Sequence, residues 1–144
     1  MSFGELGLCK EIISSINEKG YKNPTEIQKE AIPHILMGRD ILGCAQTGTG
    51  KTGSFIMPLA EILSSGKSKS RMPRSLILAP TRELAMQVAE EFNFINKFLK
   101  LQMALLIGGV SFTEQDKKLA KGVDVLVATP GRLIDHMERG KVII

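Results

Sequence analysis

Apolar residues along the chain recur with two different periods, and the alternation between these periods predicts the secondary structure. Four apolar runs are each too short for a helix and are bounded by glycine, proline or charged residues, which is typical of buried strands. These runs are Ile41–Ala45, Leu76–Ala79, Met103–Ile107 and Val123–Ala128. We therefore expect four buried strands.

Between these runs, apolar residues recur every three or four positions, which is the spacing of amphipathic helices. The helical stripes are Leu6–Ile16, Ile27–Leu36, Thr52–Leu63, Leu84–Leu99, Phe112–Lys121 and Gly131–Met137. Thr81 and Thr129 stand at expected N-cap positions, and Pro130 follows at a first helical position. Strands that alternate with helices predict an α/β fold, in which helices flank a parallel sheet.

The carboxyl ends of the predicted strands are where we expect ligand chemistry, because parallel sheets form their binding crevice there. These ends lie at Ala45, Ala79, Ile107 and Ala128. Glycine, threonine, lysine or arginine follows shortly after each of them. The functional residues should therefore lie just beyond these four positions.

Composition narrows the class of protein. The chain has 144 residues, of which 43% are hydrophobic, enough for one domain with its own core. This excludes a disulfide-stapled miniprotein and a disordered tail. Lysine and arginine number 19 against 15 aspartates and glutamates, which gives a net charge of +4. That excess permits the binding of a polyanion without requiring it.

Cysteine usage and the amino terminus bear on the compartment. Cys9 and Cys44 lack metal-ligand spacing, so we expect both to be small buried hydrophobes in a reducing environment. The first residues lack the basic-then-apolar pattern of a signal peptide, and no apolar run approaches the ~20 residues of a membrane helix. We therefore expect a soluble cytoplasmic protein that does not bind membranes.

The segment after the first predicted strand, AQTGTGKT, matches a phosphate-binding loop except that Ala45 replaces its first glycine. Its glycines let several backbone N–H groups face one anion, and the following helix adds the positive end of its dipole. Lys51 is expected to reach the β- and γ-phosphates, and Thr52 to ligate Mg²⁺, so both are also catalytic candidates. The alternative is a glycine-rich turn without a ligand. The candidate nucleotide-binding residues are Ala45, Gln46, Thr47, Gly48, Thr49, Gly50, Lys51 and Thr52.

Upstream, Gln28 has two possible roles. Its amide can pair with the N6 and N7 edge of adenine, and it would disfavour guanine, which presents an acceptor at the same place. It can equally complete a capping box by returning to the backbone amide of Thr25. Tyr21 or Phe3 could stack on the base. Residue chemistry alone leaves both roles open.

The segment around Gln28 and the phosphate-binding loop together resemble a known family. The segment Gly20–Gln28, together with AQTGTGKT, resembles the opening of the DEAD-box RNA helicases, whose Q motif combines a glycine and an aromatic with Pro-Thr-x-Ile-Gln. Phe3 lies at about the distance of that motif's outlying aromatic, and the Ala45 variant of the loop is similar to the family's own form. The resemblance implies that Gln28, Tyr21 and Phe3 select adenine, with ATP and Mg²⁺ as the ligands.

Three further strand ends resemble motifs of the same family, namely PTRELA, a glycine pair and TPGR. Threonine hydroxyls beside helix N-termini and forked arginine donors suit phosphate oxygens, and glycines permit close approach to the backbone. Taken singly, these threonines are equally ordinary caps and the arginines ordinary surface charges. The resemblance implies RNA binding with little sequence preference by Pro80, Thr81, Arg82, Gly108, Gly109, Thr129, Pro130, Gly131 and Arg132.

The resemblance also implies how the chain is organised. Residues 1–144 would form part of a helicase ATP-binding domain, an incomplete RecA-like P-loop NTPase sheet, with the Q motif at about 1–29. The family continues with Asp-Glu-Ala-Asp and a second RecA-like domain, whereas this chain contains no Asp-Glu dipeptide. We therefore expect a parent enzyme that couples ATP hydrolysis to RNA unwinding, and an inactive isolated chain. The alternatives are a non-catalytic nucleotide- or RNA-binding module, or another P-loop protein such as a small kinase or DNA translocase.

Overall fold

The structure is a computed structural model, and it describes residues 2–46, 50–65 and 73–143. The chain divides into two compact units. The first, here called the helical unit, comprises Met1–Gly66 and Glu91–Lys100. The second, here called the sheet unit, comprises Lys67–Glu90 and Leu101–Ile144.

The helical unit is built from amphipathic helices, as the spacing of its apolar residues predicts. Its main helices are α1 (Lys10–Glu18), α2 (Glu26–Leu36) and α3 (Lys51–Ser64), with 3-10 turns at Phe3–Leu6 and Asn96–Phe98. The apolar faces of these helices are buried, with Ile12, Ile16 and Ile32 fully inaccessible to solvent. Helix α2 packs against α3, which brings the segment before α2 close to the start of α3. The predicted phosphate-loop helix therefore begins at Lys51, as expected.

The sheet unit contains three strands and the helices that follow them. In chain order these elements are β1 (Ser75–Leu78), α4 (Arg82–Ile95), β2 (Met103–Leu106), α5 (Phe112–Lys121), β3 (Val125–Ala128) and α6 (Pro130–Glu138). The part of α4 from Glu91 onward belongs to the helical unit. The strand order is β1-β3-β2, and both neighbouring pairs are parallel. All four residues of β3 are buried, as a central parallel strand requires. The predicted parallel α/β architecture is confirmed.

Local capping signals place each helix start close behind a strand. Ser111 caps α5, because its hydroxyl accepts a hydrogen bond from the Thr113 amide at 3.1 Å. Pro130 is the first residue of α6, where the missing N–H of proline carries no penalty. Gly122 ends α5 with φ at 88°, a conformation that favours glycine. The apolar core of this unit consists of Ala104, Leu106, Leu119, Val123, Leu126, Ala128, Leu133 and Val142.

Three of the four predicted strands are confirmed, with ends shifted by at most two residues. The prediction of a buried strand at Ile41–Ala45 is wrong, because this segment has no strand conformation and Leu42 is 93% exposed. A strand requires a hydrogen-bonded neighbour, and no described strand pairs with this segment. Apolar composition alone therefore did not suffice to make it a strand.

The two cysteines differ from the expectation of buried thiols. Cys44 is exposed, since it lies in the unpaired segment before the phosphate loop. Cys9 is partly buried, and burial together with a hydrogen bond to Glu61 raises the pKa of its thiol to about 11. Within the described part of the chain, no helix has the length and apolar character needed to span a membrane.

Candidate nucleotide site and nucleic-acid interface

A cavity of about 360 Å³ in the helical unit brings the predicted base-binding residues together. Its volume lies within the range of about 300–1,000 Å³ that is typical of small-molecule sites. Its wall is formed by Phe3, Gly20, Tyr21, Lys22, Asn23, Thr25, Gln28, Gly50 and Glu91. Sequence-distant aromatics, the candidate amide and the last glycine of the phosphate loop therefore share one surface.

Gln28 lies at the centre of this arrangement and is only 5% exposed. Its Oε1 accepts a hydrogen bond from the backbone N–H of Thr25 at 3.0 Å, which is the capping role. Its Nε2 donates to the backbone carbonyl of Gly50 at 3.1 Å. The two ends of one amide thus serve different partners, and Gln28 links the start of α2 to the phosphate loop.

The backbone at Gly50 leaves no room for a side chain. Its φ is 82°, in the left-handed region, and a Cβ there would lie 2.5 Å from Gln28 Nε2 and 2.9 Å from Thr25 Oγ1. The Thr25 hydroxyl is buried at the capping box that begins α2. Gly50 therefore allows a close approach of the phosphate loop to the base cavity.

The phosphate-loop lysine begins α3 with its side chain exposed. Its Nζ donates to the backbone carbonyl of Ala45 at 2.8 Å, so the ammonium bridges the two ends of the loop. Thr52 follows in the first turn of α3 and is partly exposed. Thr47, Gly48 and Thr49 lie outside the described residues, and their predicted roles stay predictions.

The two candidate stacking residues differ in accessibility. Phe3 is 5% exposed and Tyr21 is 40% exposed. The Tyr21 ring packs edge-on against Phe94, with centroids 5.9 Å apart. Burial raises the pKa of the Tyr21 hydroxyl, with a further contribution from the Glu91 charge. Tyr21 therefore offers the larger open ring surface at this cavity.

Sequence reasoning missed Glu91, which follows Glu90 on α4 without any motif to distinguish the two. Glu91 lines the cavity and is partly buried, and burial raises the pKa of its carboxyl, with the Lys19 charge opposing this shift. No described residue forms a hydrogen bond or an ion pair with this carboxylate. Only the tertiary structure shows which of the two glutamates faces the cavity.

In the sheet unit, the residues predicted to bind RNA meet at one edge. Because β1, β2 and β3 are parallel, their carboxyl ends lie on the same side of the sheet. Thr81 follows β1, Gly108 and Gly109 follow β2, and Thr129 follows β3. Pro80, Pro130 and Gly131 are exposed beside them. We call this set of loops the strand-end edge.

The two predicted arginines lie against the glycine pair. Gly109 has φ at 81°, and a Cβ there would lie 2.5 Å from Arg82 Nη1 and 3.2 Å from its Cζ. A Cβ at Gly108 would lie 4.0 Å from Arg132 Nη2, which is an ordinary contact. The left-handed backbone at Gly109 therefore favours glycine, and a side chain there would displace the end of Arg82, whereas space alone does not require Gly108.

Arg132 is held by an aromatic ring and retains an unpaired donor. Its guanidinium carbon lies 4.0 Å from the centroid of the Phe112 ring, a cation–π contact. Its Nη1 is buried, and none of the described residues accepts a hydrogen bond from it. A buried N–H donor is normally paired, so this atom is available to an acceptor such as water or a ligand oxygen.

The two threonines of the strand-end edge behave differently. Thr81 is an ordinary cap, because its hydroxyl accepts a hydrogen bond from the Leu84 amide at 3.2 Å. The Thr129 side chain makes no capping hydrogen bond within the described part of α6. The capping interpretation is therefore confirmed for Thr81 and wrong for the Thr129 hydroxyl, although Thr129 is the N-cap residue of α6.

No group of three or more His, Cys, Asp or Glu side chains that could hold a metal ion occurs among residues 2–46, 50–65 and 73–143.

The chain is similar to known proteins over the region that contains these motifs. The family pattern described as DEAD/DEAH box helicase matches residues 25–143. The chain is 45% identical over 140 residues to "ATP-dependent RNA helicase DeaD" of Escherichia coli strain K12 and of Shigella flexneri. These alignments cover 96% of this chain and 22% of the relatives, so the chain spans about a fifth of their length.

Solved structures of the family share the fold. A DEAD box protein from the hyperthermophile Methanococcus jannaschii gives a TM-score of 0.89, and the RNA helicase Prp28 from Chaetomium thermophilum, bound to ADP, gives 0.91. Both are 40% identical to this chain and match 99% of it, while the chain covers 38% and 35% of theirs. The predicted RecA-like fold is confirmed, and the chain belongs to the DEAD/DEAH box helicase family.

Proposed function

We propose that the chain is the ATP- and RNA-binding part of a DEAD-box RNA helicase. Relatives that are 45% identical carry the name ATP-dependent RNA helicase, and a solved relative with the same fold holds ADP. The observation that carries the nucleotide half is Gln28, whose amide joins the base cavity to Gly50 of the phosphate loop. The observation that carries the RNA half is the unpaired Nη1 of Arg132 at the strand-end edge.

On binding, the nucleotide would replace a protein group as the hydrogen-bond partner of Lys51. Lys51 Nζ leaves the Ala45 carbonyl for the β- and γ-phosphates, which gives the ammonium a charged acceptor in place of a neutral one. Thr52 would hold the Mg²⁺ ion that neutralises phosphate charge. Gln28 has a second hydrogen on Nε2 and a second lone pair on Oε1 beyond its two internal bonds, and these would pair with adenine.

RNA would bind along the strand-end edge through its backbone. Arg82 and Arg132 supply charge and forked donors, and the Thr129 hydroxyl lies at the N-terminus of α6, where backbone N–H groups point outward. Gly108 and Gly109 let the ribose-phosphate chain approach the protein backbone. Contacts of this kind do not distinguish bases, so affinity should depend on salt more than on sequence.

ATP hydrolysis and duplex unwinding are proposed for the longer helicase, and the isolated chain should bind nucleotide with negligible turnover. Phosphoryl transfer needs an acidic holder for Mg²⁺, a group that orients the attacking water and an arginine finger. The sequence contains no Asp-Glu dipeptide to supply the acidic pair. ATP turnover by the isolated chain that disappears in Lys51→Ala would contradict this part of the proposal.

The test is a thermal melt of the chain with and without Mg-ATP. A ligand at a hundredfold excess over its dissociation constant stabilises the folded state by about 2.7 kcal/mol, so ATP should raise the melting temperature of the wild type. Lys51→Ala should lose most of this shift, whereas Lys10→Ala, at an exposed position of α1, should retain it. A melt that ATP leaves unchanged in all three proteins would refute the nucleotide half.

A further inference from the structure

Behind the strand-end edge lies a pair of buried polar side chains that no motif identifies. Gln115 on α5 is 3% exposed, and His136 on α6 is fully buried. Gln115 Nε2 donates to the backbone carbonyl of Ile107 at 3.0 Å. His136 Nε2 lies 2.5 Å from Gln115 Oε1. Most buried polar groups are hydrogen-bonded, and these contacts connect α5 and α6 to the end of β2.

The order of donors and acceptors in this chain is fixed by elementary chemistry. The Ile107 carbonyl can only accept, so Gln115 must present its NH₂ group there and its oxygen to His136. His136 Nε2 must then carry the hydrogen, which leaves Nδ1 bare in the neutral ring. Nδ1 is buried with no hydrogen-bond partner among the described residues, and it lies 3.5 Å from Asp116 Oδ1. Burial lowers the pKa of His136, which favours this neutral form.

The contacts join two of the three loops that form the strand-end edge. Ile107 directly precedes the glycine pair, and His136 lies on the helix whose first turn carries Arg132. Helix α5 has a second contact with the same groups, because the Phe112 ring lies 4.0 Å from the Arg132 guanidinium and 5.1 Å from the His136 ring. The position of the glycine pair relative to Arg132 therefore depends on α5.

We infer that Gln115 is a positioning residue for nucleic-acid binding, and that its amide sets the glycine pair and Arg132 at the spacing of one bound strand. Gln115 does not touch the nucleic acid itself, since it is buried behind the edge. This inference rests on the proposed binding of RNA at the strand-end edge. It assigns a role to Gln115 and His136, two buried residues that lie outside the exposed motifs of the strand-end edge.

The experiment measures binding of a fluorescein-labelled uridine decamer to the full chain by fluorescence anisotropy. A hydrogen bond contributes about 1 kcal/mol net, so Gln115→Met, which removes both contacts, should weaken binding at least fivefold. Gln102→Met changes an exposed glutamine of the same unit and should bind like the wild type. Failure of the wild type to bind the decamer would refute the proposed RNA function, and the inference with it. Equal affinity of wild type and Gln115→Met would refute the inference alone.

Two conservative variants separate positioning from mere folding. Gln115→Glu keeps an acceptor for His136 but cannot donate to Ile107, so it should lose affinity as Gln115→Met does. His136→Gln restores a donor where Nε2 stood and should bind within about twofold of the wild type, because one equivalent hydrogen bond is kept. Wild-type affinity in Gln115→Glu, or full loss in His136→Gln, would overturn the inference even if Gln115→Met fails to fold.

The tautomer gives a readout that is independent of binding. Nitrogen-15 NMR of the wild-type imidazole should show His136 protonated at Nε2 and bare at Nδ1 at neutral pH. The same spectra report whether each variant is folded. A hydrogen on Nδ1 instead of Nε2 would contradict the donor order and therefore the role of Gln115.

Discussion

The base cavity of the helical unit and the strand-end edge of the sheet unit differ in how the groups expected to bind ligand are paired within the protein. At the cavity, the protein itself occupies the groups expected to bind ligand: Gln28 bonds to Thr25 and Gly50, and Lys51 bonds to Ala45. At the edge, Arg132 retains a buried donor that no described residue pairs. A nucleotide phosphate would therefore replace the internal hydrogen bond of Lys51, whereas a phosphate at the edge would pair with a donor that has no partner among the described residues.

This difference has an energetic consequence. Exchanging one hydrogen bond for another yields little net free energy, so nucleotide affinity must come from charge on Lys51 and from burial of the base. Pairing an orphaned buried donor removes a penalty of about 1–3 kcal/mol. Substitutions that disturb internal bonds should therefore affect the cavity most, and substitutions that displace arginines should affect the edge most.

The largest expected effect is that of Gly50→Ala on nucleotide binding. The new Cβ would meet Gln28 Nε2 at 2.5 Å, and a non-glycine residue at φ 82° stores about 1–3 kcal/mol of strain. We expect at least a tenfold loss of ATP affinity by calorimetry. Gly38→Ala is the matched control, because Gly38 has φ 79° with no atom within 4 Å of the new Cβ. Equal losses in both variants would mean that strain alone, and not contact with Gln28, is responsible.

Next in size is the effect of Gly109→Ala on RNA binding. Its Cβ would displace Arg82, whose Nη1 lies 2.5 Å away, but the flexible end of an arginine can move aside. We expect RNA affinity to fall about five- to tenfold, as for the loss of one charge-assisted contact of about 1–1.5 kcal/mol. Gly140→Ala has a similar φ of 70° with no atom near the new Cβ, and should leave RNA binding unchanged. ATP affinity should stay constant in both proteins, and a parallel loss there would break the contrast between the two regions.

What the sequence could predict follows from how local each signal is. The cap at Thr81 and the three paired strands depend on neighbouring residues, and those predictions are confirmed. The roles of the phosphate-loop glycines stay predictions. The prediction of a strand at Ile41–Ala45 was wrong because apolar composition does not show whether a strand has a neighbour to pair with. The sequence could not predict that the Gln28 amide bonds to both Thr25 and Gly50, because this depends on the tertiary contact between α2 and the phosphate loop.

The residues missed by sequence reasoning share a physical reason. Glu91 and Gln115 each lie on an amphipathic helix where a polar residue is usually exposed, and nothing in the local pattern marks them as facing a cavity or the core. Their roles depend on which face of the helix points inward, and a shift of one residue along the helix changes that face. Two adjacent glutamates, Glu90 and Glu91, cannot be distinguished by composition at all.

A moderate effect is expected from Gln28→Glu, which separates the two roles of this side chain. A carboxylate can still accept from the Thr25 amide, so the cap survives, but it cannot donate to the Gly50 carbonyl. We expect ATP affinity to fall about fivefold, equivalent to one hydrogen bond of about 1 kcal/mol, with a smaller loss for GTP. Calorimetry with both nucleotides measures this, with Gln102→Glu as the control. Equal losses for ATP and GTP would favour a purely structural role for Gln28.

The smallest effect concerns Glu91 and tests whether the cavity carries a carboxylate that weakens folding. Because burial raises its pKa in the folded protein above the ordinary 4.5, the protonated form favours folding at low pH. That contribution is lost as the pH rises through the folded-state pKa, so Glu91→Gln should melt higher than the wild type at pH 7. Solvent screening of this partly exposed carboxylate limits the gain to about 1–2 °C. The difference should vanish near pH 4 and be absent in Glu90→Gln, whose side chain is exposed. A Glu91→Gln variant that melts lower at pH 7 would instead show that the carboxylate has a stabilising partner. Glu91 would then be paired within the protein, as Gln28 is.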